Sequence, residues 1–429
     1  MSEEKFDVII VGAGPAGSVA GYILAKAGLE VLIIERGSYP GSKNMTGGRL
    51  YSHSLEKIMP GFANEAPVER KVVKESVAML TKDSSISIDF QSTHLGENAK
   101  DSYTVLRAEF DQWLASKAEE EGALLATGVR VDDLIMRDGK VAGVIAGEDE
   151  MEADVVILAD GVNSLLAQKA NLKKELKPQQ VAVGLKEVLE LPEEEINKRF
   201  NLKSGEGAAR LFVGECTKGK IGGGFLYTNK NSISLGLVFT VAGLYSSQET
   251  THQMLEDFKK HPAIQPLIEG TKLVEYSGHL VPEGGLSMVP KLYADGVVVV
   301  GDAASLVINV GYTVRGMDLA IYSAQAAAET IINAKEKGDF SAESLRSYKT
   351  RLDDSFVMQD LKTYHKFPEF MENPRIFNQY PELVENILRE MFIIDGSPSQ
   401  PLFKKVLNYS KQIGIITLLK DFWRGARSI

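Results

Sequence analysis

The sequence predicts an α/β protein: a parallel-sheet domain split along the chain, a mixed sheet inserted into it, and a helical C-terminal region. Three observations predict this. Short apolar runs at Val8–Val11, Val31–Ile34 and Val297–Val300 have the composition of buried parallel strands. The first run is followed by glycines at G-x-G-x-x-G spacing and then by apolar residues at helical spacing. At 429 residues the chain exceeds one typical core, and its matching strands lie far apart, so the material between them forms a second unit. The parallel domain is expected at 1–75, 101–180 and 276–340, the mixed sheet at 76–100 and 181–275, and the helical region at 341–429.

Each part of the opening unit has a physical reason. Gly12 permits a tight turn, Gly14 lets backbone approach a pyrophosphate, and Gly17 lets the next helix pack close to the strand. Pro15 and Ala16 lie within this motif. The helix N-terminus presents free N–H groups and a positive dipole end to an anion. Glu35 closes the second strand 18 residues after Gly17, where a carboxylate can bond the ribose hydroxyls of an adenosine. A lone glycine motif is weak, but strand, helix, strand and acid around it make it specific. It does not choose between FAD and NAD.

The loop "GSKNMTGGRLY" comes next, with paired glycines, two cations and no acid. Gly47 and Gly48 lack Cβ atoms and can bring backbone against a flat ring. Lys43 and Arg49 are cations that can face a pyrophosphate. A linker with incidental turn glycines is the alternative. Then follow "SISIDF", an alternating strand; Arg107, with a helix from about Glu109; and "DVVILADGVNS", a buried strand leading to Asp160-Gly161. "PEEEINKRF" reads as a polar helix and "GGGFLYTNKNSISLGLVF" as two strands around a turn.

Far downstream, "GVVVVGDAA" ends a buried strand in Gly301-Asp302. A carboxylate there can accept bonds from a polyol, as the ribityl chain of FAD offers; an ordinary helix cap is the other reading of Asp302. An alanine-rich helix starts at about Met317. Its N-terminus near Gly316 can face the flavin pyrimidine edge, where the dipole favours the negative charge of the reduced ring. Beyond 341, Pro368, Pro374 and Pro381 read as helix breaks. The last stretch, "KKVLNYSKQIGIITLLKDFWRGARSI", sets apolar residues among lysines and arginines. It reads either as a basic amphipathic helix resting on a membrane or partner, or as a helix packed on the parallel domain.

Composition narrows the function. With 48 basic and 58 acidic residues the net charge is −10, which argues against nucleic acid as a partner. The single cysteine, Cys216, excludes a disulfide framework, a cysteine zinc site and an iron–sulfur cluster held by this chain alone. The six histidines show no H-x-x-x-H spacing, and no metal site is expected. No secretory leader is read at the start, and no uncharged apolar stretch reaches the roughly 18 residues of a membrane span.

The motifs occur in an order that resembles one flavoprotein fold. A dinucleotide motif, an arginine after a strand, an "ADG" motif and "GDAA" are similar to the FAD-binding fold shared by p-hydroxybenzoate hydroxylase, geranylgeranyl reductases and electron-transfer-flavoprotein:quinone oxidoreductases. "KNMTGGRLY", "HLVPEGGLSMVP", "VRGMDLAI" and "MENPRIFNQYP" further resemble the FixC type, almost end to end. The resemblance implies FAD as cofactor. It implies Arg107 near the flavin ribityl and phosphates, Asp160 near the pyrophosphate, Asp302 at the ribityl, and Val131 offering backbone to the adenine. Arg36, Gly161, Gly301, Gly311, Val314 and Arg315 complete the expected cofactor set, with Arg315 and Arg49 near the flavin. Thr46 stands where prenyl reductases often carry a cysteine.

The family implies electrons arriving from electron-transfer flavoprotein subunits and leaving through FAD toward quinone. A small ferredoxin-like iron–sulfur protein is the expected partner in trans, because the cluster cysteines of the long quinone oxidoreductases are missing. A cytoplasmic protein with peripheral contact at the inner membrane face is expected. A prenyl reductase, an NADPH-dependent aromatic hydroxylase and a non-catalytic flavin relay subunit are the alternatives.

Overall fold

The computed structural model describes residues 5–43, 48–92, 94–95, 101–245 and 249–429. Thr46 and Gly47 of the expected cofactor set lie outside the described residues. In the first sheet Phe6–Val11 is central, parallel to Asp149–Leu158 on one side and Val31–Glu35 on the other. Val297–Val299 adds beyond Asp149–Leu158, and Leu124–Thr127 beyond Val31–Glu35, both parallel. Strands buried on both faces need unbroken apolar runs, and Ile9, Ile10, Ile33 and Val156 are fully buried. Each such side chain contributes about 1.5–3 kcal/mol of burial. The helix Pro15–Lys26 packs beside Arg107–Glu120 and Met317–Lys337, and buries Val19, Ala20 and Leu24. The carboxyl ends of these strands, with the helix N-termini that follow, present one edge for a ligand.

The second sheet has nine strands. Its path runs Lys272–Pro282, Val181–Glu190, Ser232–Thr240, Gly222–Thr228, Glu206–Gly214, Val68–Leu80, Ser102–Val105 and Arg49–Tyr51, with Ser85–Gln91 also on Val68–Leu80. The sheet therefore reaches past the boundaries expected at 76 and 101. Val68–Leu80 is 13 residues long; its first half pairs with Ser102–Val105 and its second half with Ser85–Gln91. Alternation gives the sheet two faces. Leu80, Phe212, Leu226, Leu235 and Leu237 form a core with Ile196, Phe200, Met254 and Phe258 from the helices Glu193–Phe200 and Thr251–Lys260. Cys216 is buried in this core, and burial pushes its thiol up to about 12, so it is inert. The other face carries Val77, Leu211, Phe225, Tyr227 and Val238.

In the C-terminal region Pro368, Pro374 and Pro381 stand in the first turns of Phe367–Met371, Pro374–Ile376 and Gln379–Phe392, so each expected break falls where a new helix starts. The final basic stretch is two helices, Leu402–Ile413 and Ile415–Ala426, because Gly414 between them adopts φ +96°. The last helix is clasped to the body at Asp421. Its carboxylate accepts from Arg375 Nε at 2.7 Å, from Asn373 Nδ2 at 2.9 Å and from the Tyr380 hydroxyl. This gives "MENPRIFNQYP" a structural task.

Candidate active site

A cavity of 1550 Å³ runs between the carboxyl edge of the parallel sheet and the apolar face of the mixed sheet. Every described member of the expected cofactor set lines it except Gly17. Gly17 is structural: a Cβ there would stand 1.8 Å from the Gly12 carbonyl oxygen. Gly12 has φ +103°, and a Cβ on it would stand 2.4 Å from the Ala159 carbonyl oxygen. The turn, the helix and the "ADG" strand end thus touch through backbone alone. At this end Glu35 accepts the Ala13 N–H at 3.0 Å and the Gly37 N–H at 2.6 Å, which fixes its carboxylate over the glycine turn. Arg36 and Val131 line the cavity beside it.

The middle of the cavity gathers charge. The buried Arg107 guanidinium donates twice to Asp111, from Nε and Nη2 at 2.7 Å each. Gly301, at φ +60°, lets the third strand end cross Ala16, where a Cβ would stand 3.1 Å from the alanine methyl. Asp160 and Asp302 come from strand ends far apart in the chain. Between them lies Lys173, a residue that sequence reasoning missed. Its ammonium donates to the Ala303 carbonyl at 2.9 Å and the Val162 carbonyl at 3.2 Å, tying the two loops together. Burial pulls this lysine down to about 8, while Asp160 and Asp302 hold it up. Burial pushes Asp160 up to about 6, against backbone N–H groups and the Lys173 ammonium. Burial also raises Asp302, with Arg107 and Lys173 opposing. Asp160 Oδ1 is buried without a hydrogen-bond partner. A wall that offers an orphaned acceptor, a second carboxylate, backbone N–H groups and glycine close approaches fits the hydroxyls and phosphates of a dinucleotide.

At the far end the wall turns apolar. A Cβ on Gly48 would stand 2.9 Å from the Tyr227 ring, so this glycine lets the loop lie against the mixed sheet. Phe225 and Tyr227 stack with centroids 5.3 Å apart. Gly316 and Met317 bring the start of the helix Met317–Lys337 to the cavity. The two arginines expected near the flavin are not isolated cations. Arg49 donates to Glu75 at 2.7 Å and to Ser102 at 2.9 Å, and lies over the Tyr51 ring. Arg315 donates to Asp318 at 2.7 and 2.9 Å and to Asp360 at 2.6 Å. Two carboxylates thus balance its charge, which weakens its field on anything in the cavity. His279 of the strand Lys272–Pro282 and Glu283 just after it also line the wall, and sequence reasoning assigned neither to the site. Burial, then Arg107 and Arg36, push His279 down to about 4. Phe367, Phe370 and Ile429 of the C-terminal region close the far end.

Three family descriptions match the chain. "FAD binding domain" covers residues 5–198, "ETF-QO, ubiquinone-binding" covers 181–281, and "ETF-QO/FixC family C-terminal domain" covers 367–429. The chain is 56% identical over its whole length to a probable electron transfer flavoprotein-quinone oxidoreductase, YdiS, of Escherichia coli, covering all of both chains. It is 52% identical to the FixC protein of Escherichia coli over 99% of both chains, and 42% identical to that of Azorhizobium caulinodans over all of both. Among solved structures, a geranylgeranyl bacteriochlorophyll reductase-like protein of Thermoplasma acidophilum superimposes with a TM-score of 0.73 at 22% identity, over 97% of this chain and 99% of that one. The flavin-dependent brominase Bmp2 does so with 0.66 at 17%, over 96% and 100%. At these identities the two structures establish the shared fold.

Proposed function

The chain belongs to the ETF-QO/FixC family of FAD-dependent oxidoreductases, and on that premise we propose that it takes electrons from an electron-transfer flavoprotein and passes them to a quinone. One observation carries the reading. The wall facing the dinucleotide loops is an apolar sheet face, Leu211, Phe225, Tyr227 and Val238, drawn from the segment that matches the ubiquinone-binding description. A hydrophobic ring can lie there beside a flavin without desolvating any unpaired charge.

In this reading FAD supplies two-electron chemistry, and the chain supplies its place. Glu35 takes the adenosine ribose and Val131 the adenine. The N-terminus of Pro15–Lys26 and Arg107 take the phosphates. Asp160 takes the pyrophosphate side and Asp302 the polyol, with Lys173 interacting with both. The start of Met317–Lys337 faces the ring edge, where its dipole favours negative charge. The one cysteine is buried and inert, so a separate ferredoxin-like iron–sulfur protein completes the electron path. The test is purification with the flavoprotein subunits and assay of quinone reduction driven by NADH or an acyl-CoA. Rapid NADPH oxidation stimulated by a phenol, with no quinone reduced, would overturn the reading.

The same reading assigns the C-terminal helices to the membrane surface that holds the quinone. No helix among the described residues is long and apolar enough to cross a membrane. Yet Phe403, Ile416, Phe422 and Trp423 are all more than half exposed, with Lys404, Lys420 and Arg424 around them. An apolar face rimmed by cations suits an anionic interface. The double variant Phe422→Asp, Trp423→Ser is expected to lose at least about tenfold in binding to vesicles containing anionic lipid, while keeping its FAD. Equal co-sedimentation of variant and parent would refute the assignment.

A further inference from the structure

We propose that Glu283 is the carboxyl that hands a proton to the electron acceptor in this cavity. The proposal rests on the reading that the acceptor is a quinone. Glu283 follows the strand Lys272–Pro282, and its N–H donates to the Gln180 carbonyl at 2.8 Å, which fixes the turn. Its side chain is half-buried on the cavity wall. The neighbour on that wall is Asn309, whose Nδ2 stands 3.5 Å from Glu283 Oε2. Asn309 Oδ1 accepts the Gly311 N–H at 3.0 Å, which turns the amide NH₂ toward the carboxyl. Glu283 and Asn309 share their recess with Pro368, and a Cβ on Gly311 would stand 3.4 Å from the Phe367 ring. Glu283 therefore stands toward the end of the cavity that Phe367 closes, where a redox ring and its acceptor would meet.

The surroundings suit a proton carrier. The small recess behind Glu283 is lined by Leu286, Ile308, Leu361 and Pro368, with Tyr364 as its titratable neighbour. Tyr312 interacts with Tyr364, and His279 and His365 line the larger cavity. No lysine or arginine among the described residues holds the carboxyl ionised. Burial pushes it up to about 7, with the Asn309 amide opposing. His279, pushed down to about 4, is neutral over the same range and is no donor of comparable acidity. Conversion of a quinone to a quinol takes two electrons and two protons. The electrons come through the cofactor. One proton comes from Glu283, whose O–H bond breaks as an O–H bond forms on the quinone oxygen, leaving a carboxylate that water reprotonates. The second proton comes from water.

The experiment compares Glu283→Gln with the parent in two ways. The first is thermal unfolding of the FAD-loaded protein across pH. An acid whose folded pKa lies above its ordinary 4.5 binds its proton more tightly in the fold. The parent should therefore lose stability relative to E283Q as pH rises from 4.5 to about 7. The second is reduction of a water-soluble quinone, normalised to flavin bleaching by the same donor. E283Q should be slower by about a hundredfold and lose the pH dependence centred near neutrality. Parallel stability curves, or equal quinone reduction by both proteins, would overturn the assignment. If the parent itself reduces no quinone, the functional reading falls and this step with it. That outcome is distinguishable from failure of Glu283 alone, where the parent reduces quinone and E283Q keeps pace.

Discussion

Gly17→Ala is expected to give protein that carries no flavin and unfolds readily. The new Cβ would stand 1.8 Å from the Gly12 carbonyl oxygen and 3.3 Å from Ile10 Cγ2. The nearer atom is backbone, so no rotamer change relieves the clash. The helix must move away from the first turn, carrying with it its N-terminal N–H groups at the cavity, which in the proposed reading take the pyrophosphate. A loss of at least about 3 kcal/mol is expected from overpacking at such a site. Gly28→Ala is the control. Gly28 has φ +84°, but its missing Cβ points into open space. The cost there is conformational, about 1–2 kcal/mol, and flavin should be retained. Bound flavin per chain, read from absorbance after gel filtration, separates the two. A flavin-replete Gly17→Ala would refute the account.

Lys173→Met is expected to be nearly as damaging, for an electrostatic reason. The methionine keeps the volume of the stem but breaks the tie between the Val162 and Ala303 carbonyls. It also leaves Asp160 and Asp302 without the cation between them. Removing one partner from a buried charged group costs about 3–5 kcal/mol. Without the ammonium both carboxyls rise further and hold protons at higher pH. The variant should therefore bind FAD better at pH 5 than at pH 8, because the repulsion between the two carboxylates grows as they ionise. Fluorescence titration with FAD at the two values checks this. Unchanged affinity at both would show Lys173 to be a spectator.

Much of this was legible from local pattern. Apolar runs gave the parallel strands because a strand buried on both faces has no polar side to reveal. The glycines at 12, 14 and 17 and the acid at 35 could be read because their spacing follows from one turn and one helix. Lys173 was not legible. It lies in "NLKKELK", a stretch with the composition of an exposed turn, and its partners are carbonyls at 162 and 303. Only tertiary folding makes it buried. Arg315 reads as a cation near the ring; its partner Asp318 lies three residues on, within "VRGMD", but Asp360 reaches it only through a helix packing that no local pattern announces. Glu283 was not legible either, because a carboxylate beside two glycines, as in "HLVPEGGLSMVP", reads as turn chemistry. The helix break at Gly414 was available in the sequence as a glycine within an amphipathic run, and the continuous pattern on either side hid it.

The strand order has a consequence for biosynthesis. In the proposed reading the wall that takes the dinucleotide is built from Gly12, Arg107, Asp160 and Asp302, and Val297–Val299 joins the parallel sheet beside Asp149–Leu158. A nascent chain that has just made its glycine turn has one quarter of a binding site. At about 5–20 residues per second, roughly 15–60 seconds of translation separate that turn from the strand that completes the wall. Cofactor capture is therefore a late event in the life of the polypeptide. A chain stalled or cleaved before Asp302 emerges should leave the ribosome as an open parallel sheet with an unpaired edge, a species for chaperones and proteases rather than a partly active enzyme.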